Sequence, residues 1–370
     1  MEYTPHARPD LTDTCLPDTR VEIIDSICRW AFGLCDATLQ SGSASSSVLW
    51  LCGGDGSGKT AIINSLAARF STLCSLGSIY AFNQGHPAET HPGNVFSTIA
   101  RGIADYDPSY KDRLVAIIQE DTALRRTTDC KTQFNSFVTA FSTEGGDASG
   151  RCLIVIDEFD KSGDEATRGE LLARLTEDAD RIPPGVRIIV ASRFESDIKD
   201  ALHTNPPGVH VVMMEDIPLD TTLRDIRLYA NHQLCGVPQF ASDPVLFEQS
   251  VERIAQGAGR SFRRAASLCK AAVRSIDPIR ALESALNRNE RLEPLRAEVL
   301  RQQLDLAGSG YPAGEARLHA IFRIISSARD PLPLRVLLGL ILEKADDELE
   351  EDIFLPRDTA MRLAAVLGKT

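Results

Sequence analysis

The sequence predicts an α/β chain: a parallel sheet flanked by helices, followed by a largely helical part. Three observations predict it. A glycine-rich loop, Gly53-Gly54-Asp55-Gly56-Ser57-Gly58-Lys59-Thr60, joins an apolar run (Val48–Cys52) to a segment with a helical apolar face (Ala61–Phe70). Further apolar runs alternate with helical-period segments as far as about Met213. After Pro218 the strand-like runs give way to helical ones.

Val48–Cys52 is apolar throughout, as a strand buried on both faces must be. The loop after it fits Gly, four residues, Gly-Lys-Thr without a mismatch. Glycine permits positive φ and lets backbone amides crowd around an anion, and a following helix adds partial positive charge. In this pattern Gly53 to Thr60, with Ala61 next on the helix, form a phosphate-binding site; Lys59 reaches the β- and γ-phosphates and Thr60 offers its hydroxyl to Mg²⁺. The bland alternative is a glycine-rich turn with no ligand.

In chain order, residues 1–14 are polar and read as a tail, and Val21 to Ala31 carries apolar residues at helical spacing. Ser41–Ser47 reads as a flexible linker, Gly77–Phe82 as a second strand, and Asn83–Pro87 as a turn. Helices are expected at His91–Ala104, Ser109–Gln119 and Lys131–Phe141, and a loop at Gly145–Gly150.

Arg151–Ile156 is the most strand-like run, and it ends in Asp157-Glu158-Phe159-Asp160. A carboxylate at the carboxyl end of a buried parallel strand lies where open α/β sheets bind ligands. Asp157 is therefore the candidate to hold Mg²⁺, the alternative being a solvated acidic turn. Glu158 is the first candidate to orient an attacking water and Asp160 the second, with exposed structural roles open for both. After a helix at Glu165–Asp180, Val186–Ala191 is a strand ending in Ser192-Arg193. Arg193 is a candidate γ-phosphate sensor or else a surface ion pair with Glu195 or Asp197. Val209–Met213 is the last strand of the sheet.

Beyond Pro218, Thr222 and Asp225 stand at capping-box spacing, and Asp243-Pro244 is a second helix start. Gly257-Ala258-Gly259 breaks the run before a basic helix, Phe262–Arg274, read as one solvated face. Past Gly308 come two amphipathic helices, an acidic stretch from Asp346 to Asp352, a short strand and a last helix.

The 370 residues suggest two or three domains, and 43% hydrophobic content supplies a core. A net charge of −12 argues against nucleic-acid or acidic-membrane partners. Nine cysteines, an odd number without CxxC spacing, read as core residues of a reducing, cytoplasmic setting rather than disulfides or metal ligands. No apolar run approaches bilayer length.

The ordered set Val48–Thr60, Leu153–Asp160, Ile188–Arg193, and Leu223, Asp225, Ile226 and Tyr229 on one helix resembles the NACHT group of STAND P-loop NTPases. Cys15-Leu16-Pro17-Asp18-Thr19-Arg20 with Trp30, and Gly259-Arg260-Ser261-Phe262, are similar to the fungal, NLR-like version. The resemblance implies four segments: a tail, lead-in helix and linker (1–47), a P-loop nucleotide-binding domain (48–215), a helical domain (216–306) and a winged-helix-like domain (307–370). It implies ATP/ADP or GTP/GDP with Mg²⁺, slow hydrolysis, homo-oligomers on activation, a protein partner, and a role of the innate-immunity or incompatibility kind. It also places Thr19, Arg20 and Val21 near base and ribose, a simple N-cap turn being the alternative. Glu158 directly after Asp157, Lys161 where an acid is usual, and Asn83-Gln84 where an arginine is usual depart from the family pattern and put the hydrolysis rate and its base in doubt. Neither an effector region nor sensor repeats are evident, which suggests a short or truncated form.

Three functions compete at this point. A switch fits a complete phosphate site followed by helical units, and a turnover ATPase of the AAA+ kind fits the Asp157-Glu158 pair. A DNA-binding regulator would need the winged helix, against the acidic balance.

Overall fold

The computed structural model describes residues 13–34, 46–73, 75–82, 91–141 and 152–287. The chain divides into two units, Met1–Arg274 and Ser275–Thr370. Of the second, residues 275–287 are described, with a helix at 278–287. The expected winged-helix-like domain, acidic stretch, last strand and last helix lie outside the described residues, as do the turn at 83–87 and the loop at 145–150.

Five strands form one parallel sheet: β1 Val48–Cys52, β2 Leu76–Ala81, β3 Cys152–Asp157, β4 Val186–Ser192 and β5 Val209–Met213. Their spatial order is β2-β3-β4-β1-β5. The register pairs Val48 with Ile188 on one side and Val209 on the other, and Ile154 with Ile188. The five strands expected of the sheet are present, with ends displaced by a residue at most.

Helices α1 Val21–Ala31, α2 Lys59–Thr72, α3 Val95–Tyr106, α4 Pro108–Glu120, α5 Cys130–Gln133, α6 Glu165–Thr176, α7 Ser196–His203, α8 Leu219–Leu234, α9 Pro238–Ala241, α10 Pro244–Ala258 and α11 Phe262–Val273 complete the first unit. Alternation along the strands sends successive side chains to opposite faces. Leu49, Leu51, Val155, Ile189 and Ala191 meet α1 and α2 on one face. Trp50, Ile154, Ile156, Ile188 and Val190 meet α3, α4, α6 and α7 on the other. Both faces are thus covered, which explains the unbroken apolar character of β1 and β3.

Three local expectations are corrected. The segment read as one helix at Lys131–Phe141 is a short α-turn followed by a π-turn at Phe134–Val138. Thr222 and Asp225 do not cap a helix: α8 starts at Leu219, and both side chains are buried inside it, turned to Arg20. The last two residues of the serine linker are not loose. Ser46 accepts from the Trp30 indole at 2.8 Å, and the Ser47 amide bonds the Gly208 carbonyl. The Asp243 cap on α10 is as expected, accepting from the amides of Val245 and Leu246.

Candidate functional site

The site forms at the carboxyl ends of β1, β3 and β4. Gly56 (φ 74°) and Gly58 (φ 96°) hold the left-handed conformations that turn the loop back on itself. Gly58 is the N-cap of α2, no side chain caps that helix, and its first turn carries no acid. Its first amides are therefore offered to an anion. Lys59 lies along the loop, its Nζ donating to the Gly53 carbonyl at 2.6 Å and the Gly54 carbonyl at 3.0 Å. Burial lowers its proton affinity, against the opposing pull of Asp160, Asp157, Asp55 and Glu215.

Because β4 separates β1 from β3, the loop and Asp157 stand two strands apart, roughly 10 Å at the usual strand spacing. Thr60, at the start of α2, lies near Asp157 and favours the ionised form of its carboxylate. Asp157 is 2% exposed and accepts from the Glu158 amide at 2.8 Å. Burial outweighs both and raises its pKa to about 6.

The strand ends at Asp157, so the alternation rule does not reach Glu158. That residue has φ 56°, and its carboxylate is paired with Lys161, the residue that stands where the family pattern has an acid. Asp160 accepts from the Arg193 amide and Nε, both at 2.7 Å. Arg193 is thus an ion pair, with Asp160 as its main partner and Glu195 at 3.7 Å. Asp197, the other partner considered from sequence, pairs with Arg168 at 2.7 Å. Arg168 also donates to the carbonyls of Asp160 and Gly163, fixing the acidic turn between β3 and α6.

The lead-in residues divide. The Thr19 hydroxyl donates to the Leu16 carbonyl at 2.7 Å, closing a turn. Thr19 and Val21 line a cavity of about 250 Å³ together with Cys15, Ser65 and Arg69, on the flank of α2. Arg20 turns the other way and donates to the Ser57 carbonyl of the loop at 3.0 Å.

Sequence reasoning missed a set of loop contacts from outside the motif. The Gly54 amide donates to Glu215 at 2.9 Å, and the Gly56 carbonyl accepts from the amides of Phe262 at 2.8 Å and Arg263 at 3.3 Å. Arg263 also pairs with Asp55. Gly259-Arg260-Ser261-Phe262 is the turn that delivers α11 to the loop, and nothing in its local pattern says what it touches.

Loop and strand order together give the first unit a parallel α/β sheet with a phosphate-loop pattern at the carboxyl end of its β1 strand. The family model described as "Nephrocystin 3, N-terminal" matches residues 27–193, somewhat under half of the chain. No curated protein matches. Among solved structures, PCH-2 of C. elegans is similar at 18% identity and TM-score 0.37, over 73% of this chain and 67% of that one. Drosophila ORC bound to DNA is similar at 13% identity and TM-score 0.40, over 87% of this chain and 80% of that one. Among the described residues no helix is long and apolar enough to cross a membrane.

Proposed function

We propose that this chain is a nucleotide-driven switch of the STAND/NACHT type, binding ATP or GTP with Mg²⁺, hydrolysing it slowly, and using the bound state to control self-association. The observation that carries this reading is the docking of α11 on the loop: the Gly56 carbonyl is held by two amides of α11, beside the Asp55–Arg263 pair. A loop that must grip phosphate is thereby tied to a helix outside the sheet.

The residues fit the ligand. The left-handed glycines, the uncapped start of α2 and the buried Ser57 hydroxyl, which has no hydrogen-bond partner, suit a polyphosphate. Thr60 and Asp157 would hold Mg²⁺, which when bound supplies charge neutralisation between β- and γ-phosphates. Lys59, drawn from the Gly53 and Gly54 carbonyls, would pair with the same phosphates. Glu158 is the favoured water-orienting base: its partner Lys161 makes a partly exposed pair of small energetic worth, whereas Asp160 is 4% exposed and fixed by two bonds from Arg193. Arg193 would respond to a γ-phosphate by exchanging part of its hold on Asp160.

A turnover ATPase is the second reading, favoured by the adjacent Asp157 and Glu158. Single-turnover hydrolysis separates the two: a rate on the order of one per second or faster supports turnover, and a much slower one the switch. Glu158→Gln is expected to slow either while leaving nucleotide bound.

A further inference from the structure

Arg20 is a residue whose side chain has been claimed by the protein itself. It is 4% exposed and adopts φ 57°, a conformation that a side chain this size takes at a cost. One Nη donates to the Ser57 carbonyl at 3.0 Å and the other to the Thr222 hydroxyl at 3.3 Å. Its backbone amide donates to the Asp225 carboxylate at 3.0 Å, and Asp225 is itself fully buried in α8. Its guanidinium lies 4.8 Å from the centroid of the Phe262 ring, at the start of α11. Burial lowers the proton affinity of the guanidinium, and Asp225 is the largest of the charges that restore it. The lead-in, the phosphate loop, α8 and α11 therefore meet on one side chain.

The covalent geometry gives that meeting a direction. Ser57 C=O and Gly58 N–H belong to one planar trans peptide and point opposite ways. Arg20 holds the carbonyl, so the Gly58 amide faces away from Arg20. An anion gripping that amide acts on the same peptide plane from the other end. The neighbouring carbonyl, Gly56, is held by the amide of Phe262, the ring on which Arg20 rests. Tyr229 of α8 meets the same ring edge-on at 6.1 Å.

We propose that Arg20 is a positioning residue rather than a base or ribose ligand: it couples the state of the phosphate loop to α8 and α11 through Ser57, Thr222, Asp225 and Phe262. The proposal rests on the nucleotide-binding reading above, and its test keeps the two apart. Full-length wild type, Lys59→Ala, Arg20→Ala, Arg20→Lys and Asp225→Asn are compared by nucleotide titration and by amide hydrogen exchange across α8 and α11, with and without Mg·ADP. Wild type is expected to bind Mg·ADP and to change exchange in α8 and the first turns of α11 by about tenfold, within the usual range of coupling between sites. In Arg20→Ala and Arg20→Lys that change should fall below about twofold. Asp225→Asn, which keeps an acceptor for the Arg20 amide but loses the charge, should fall between and decides the matter if the Arg20 variants do not fold. Binding by wild type with no response in α8 and α11, or a full wild-type response in the substituted proteins, overturns the proposal. Failure of wild type to bind Mg·ADP at all overturns the nucleotide-binding reading instead.

Discussion

Asp157 carries an opposition between stability and chemistry that one residue can expose. Its folded pKa, about 6, lies above the ordinary 3.8. The folded chain therefore holds this proton more tightly than the unfolded one. The resulting stability is fully present below pH 3.8 and is lost as pH rises to about 6. At neutral pH the buried carboxylate is a net cost of up to about 3 kcal/mol. Asp157→Asn is thus expected to raise the ligand-free melting temperature at pH 7.5 and to remove the Mg²⁺ dependence of nucleotide binding, both readable by thermal denaturation. In the wild type, Mg²⁺-dependent binding should weaken as pH falls below about 6, by up to tenfold per unit, because the proton and the cation compete for one carboxylate. Isothermal titration across pH 5 to 8 reads this directly. The place of Asp157 at the buried end of β3 was legible in the sequence because the run before it is apolar throughout. The contacts of its neighbours were not, since the partners of Glu158 and Asp160 are Lys161 three residues on and Arg193 just past the end of β4.

Among the elements, the contact of α11 with the loop has two parts of unequal weight. Arg263 and Asp55 are 68% and 57% exposed, so their pair is worth little in water. Arg263→Ala should shift stability by less than about 1 kcal/mol. The backbone bonds to Gly56 are different. A Cβ at Gly56 would lie 2.6 Å from the Arg263 Cβ, and φ there is +74°. Gly56→Ala is expected to cost at least about 1–2 kcal/mol from backbone conformation alone and to loosen α11. Urea unfolding and hydrogen exchange at Phe262–Val273 measure the two effects. The strands and most helices were readable from periodicity, because both follow from burial of one face or two. The π-turn at Phe134–Val138 and the true start of α8 were not. Thr222 and Asp225 look like capping residues locally, but Arg20, some two hundred positions earlier, bonds both in the interior, and Asp225 also accepts from the adjacent Arg224.

For the whole molecule, the net charge of −12 opposes association of like copies. If nucleotide controls self-association, the triphosphate-bound form should assemble more readily at moderate salt than at low salt, as screening weakens that repulsion. Sedimentation velocity at two ionic strengths, with each nucleotide, reads the result. All of this depends on the loop holding a nucleotide, and titration of purified wild type and Lys59→Ala with Mg·ATP and Mg·GTP settles that point. Wild type should bind at least one of them, and Lys59→Ala should lose roughly 10–100-fold, the worth of a charged hydrogen bond to phosphate. No binding by wild type, or equal binding by both proteins, would contradict the assignment of this site.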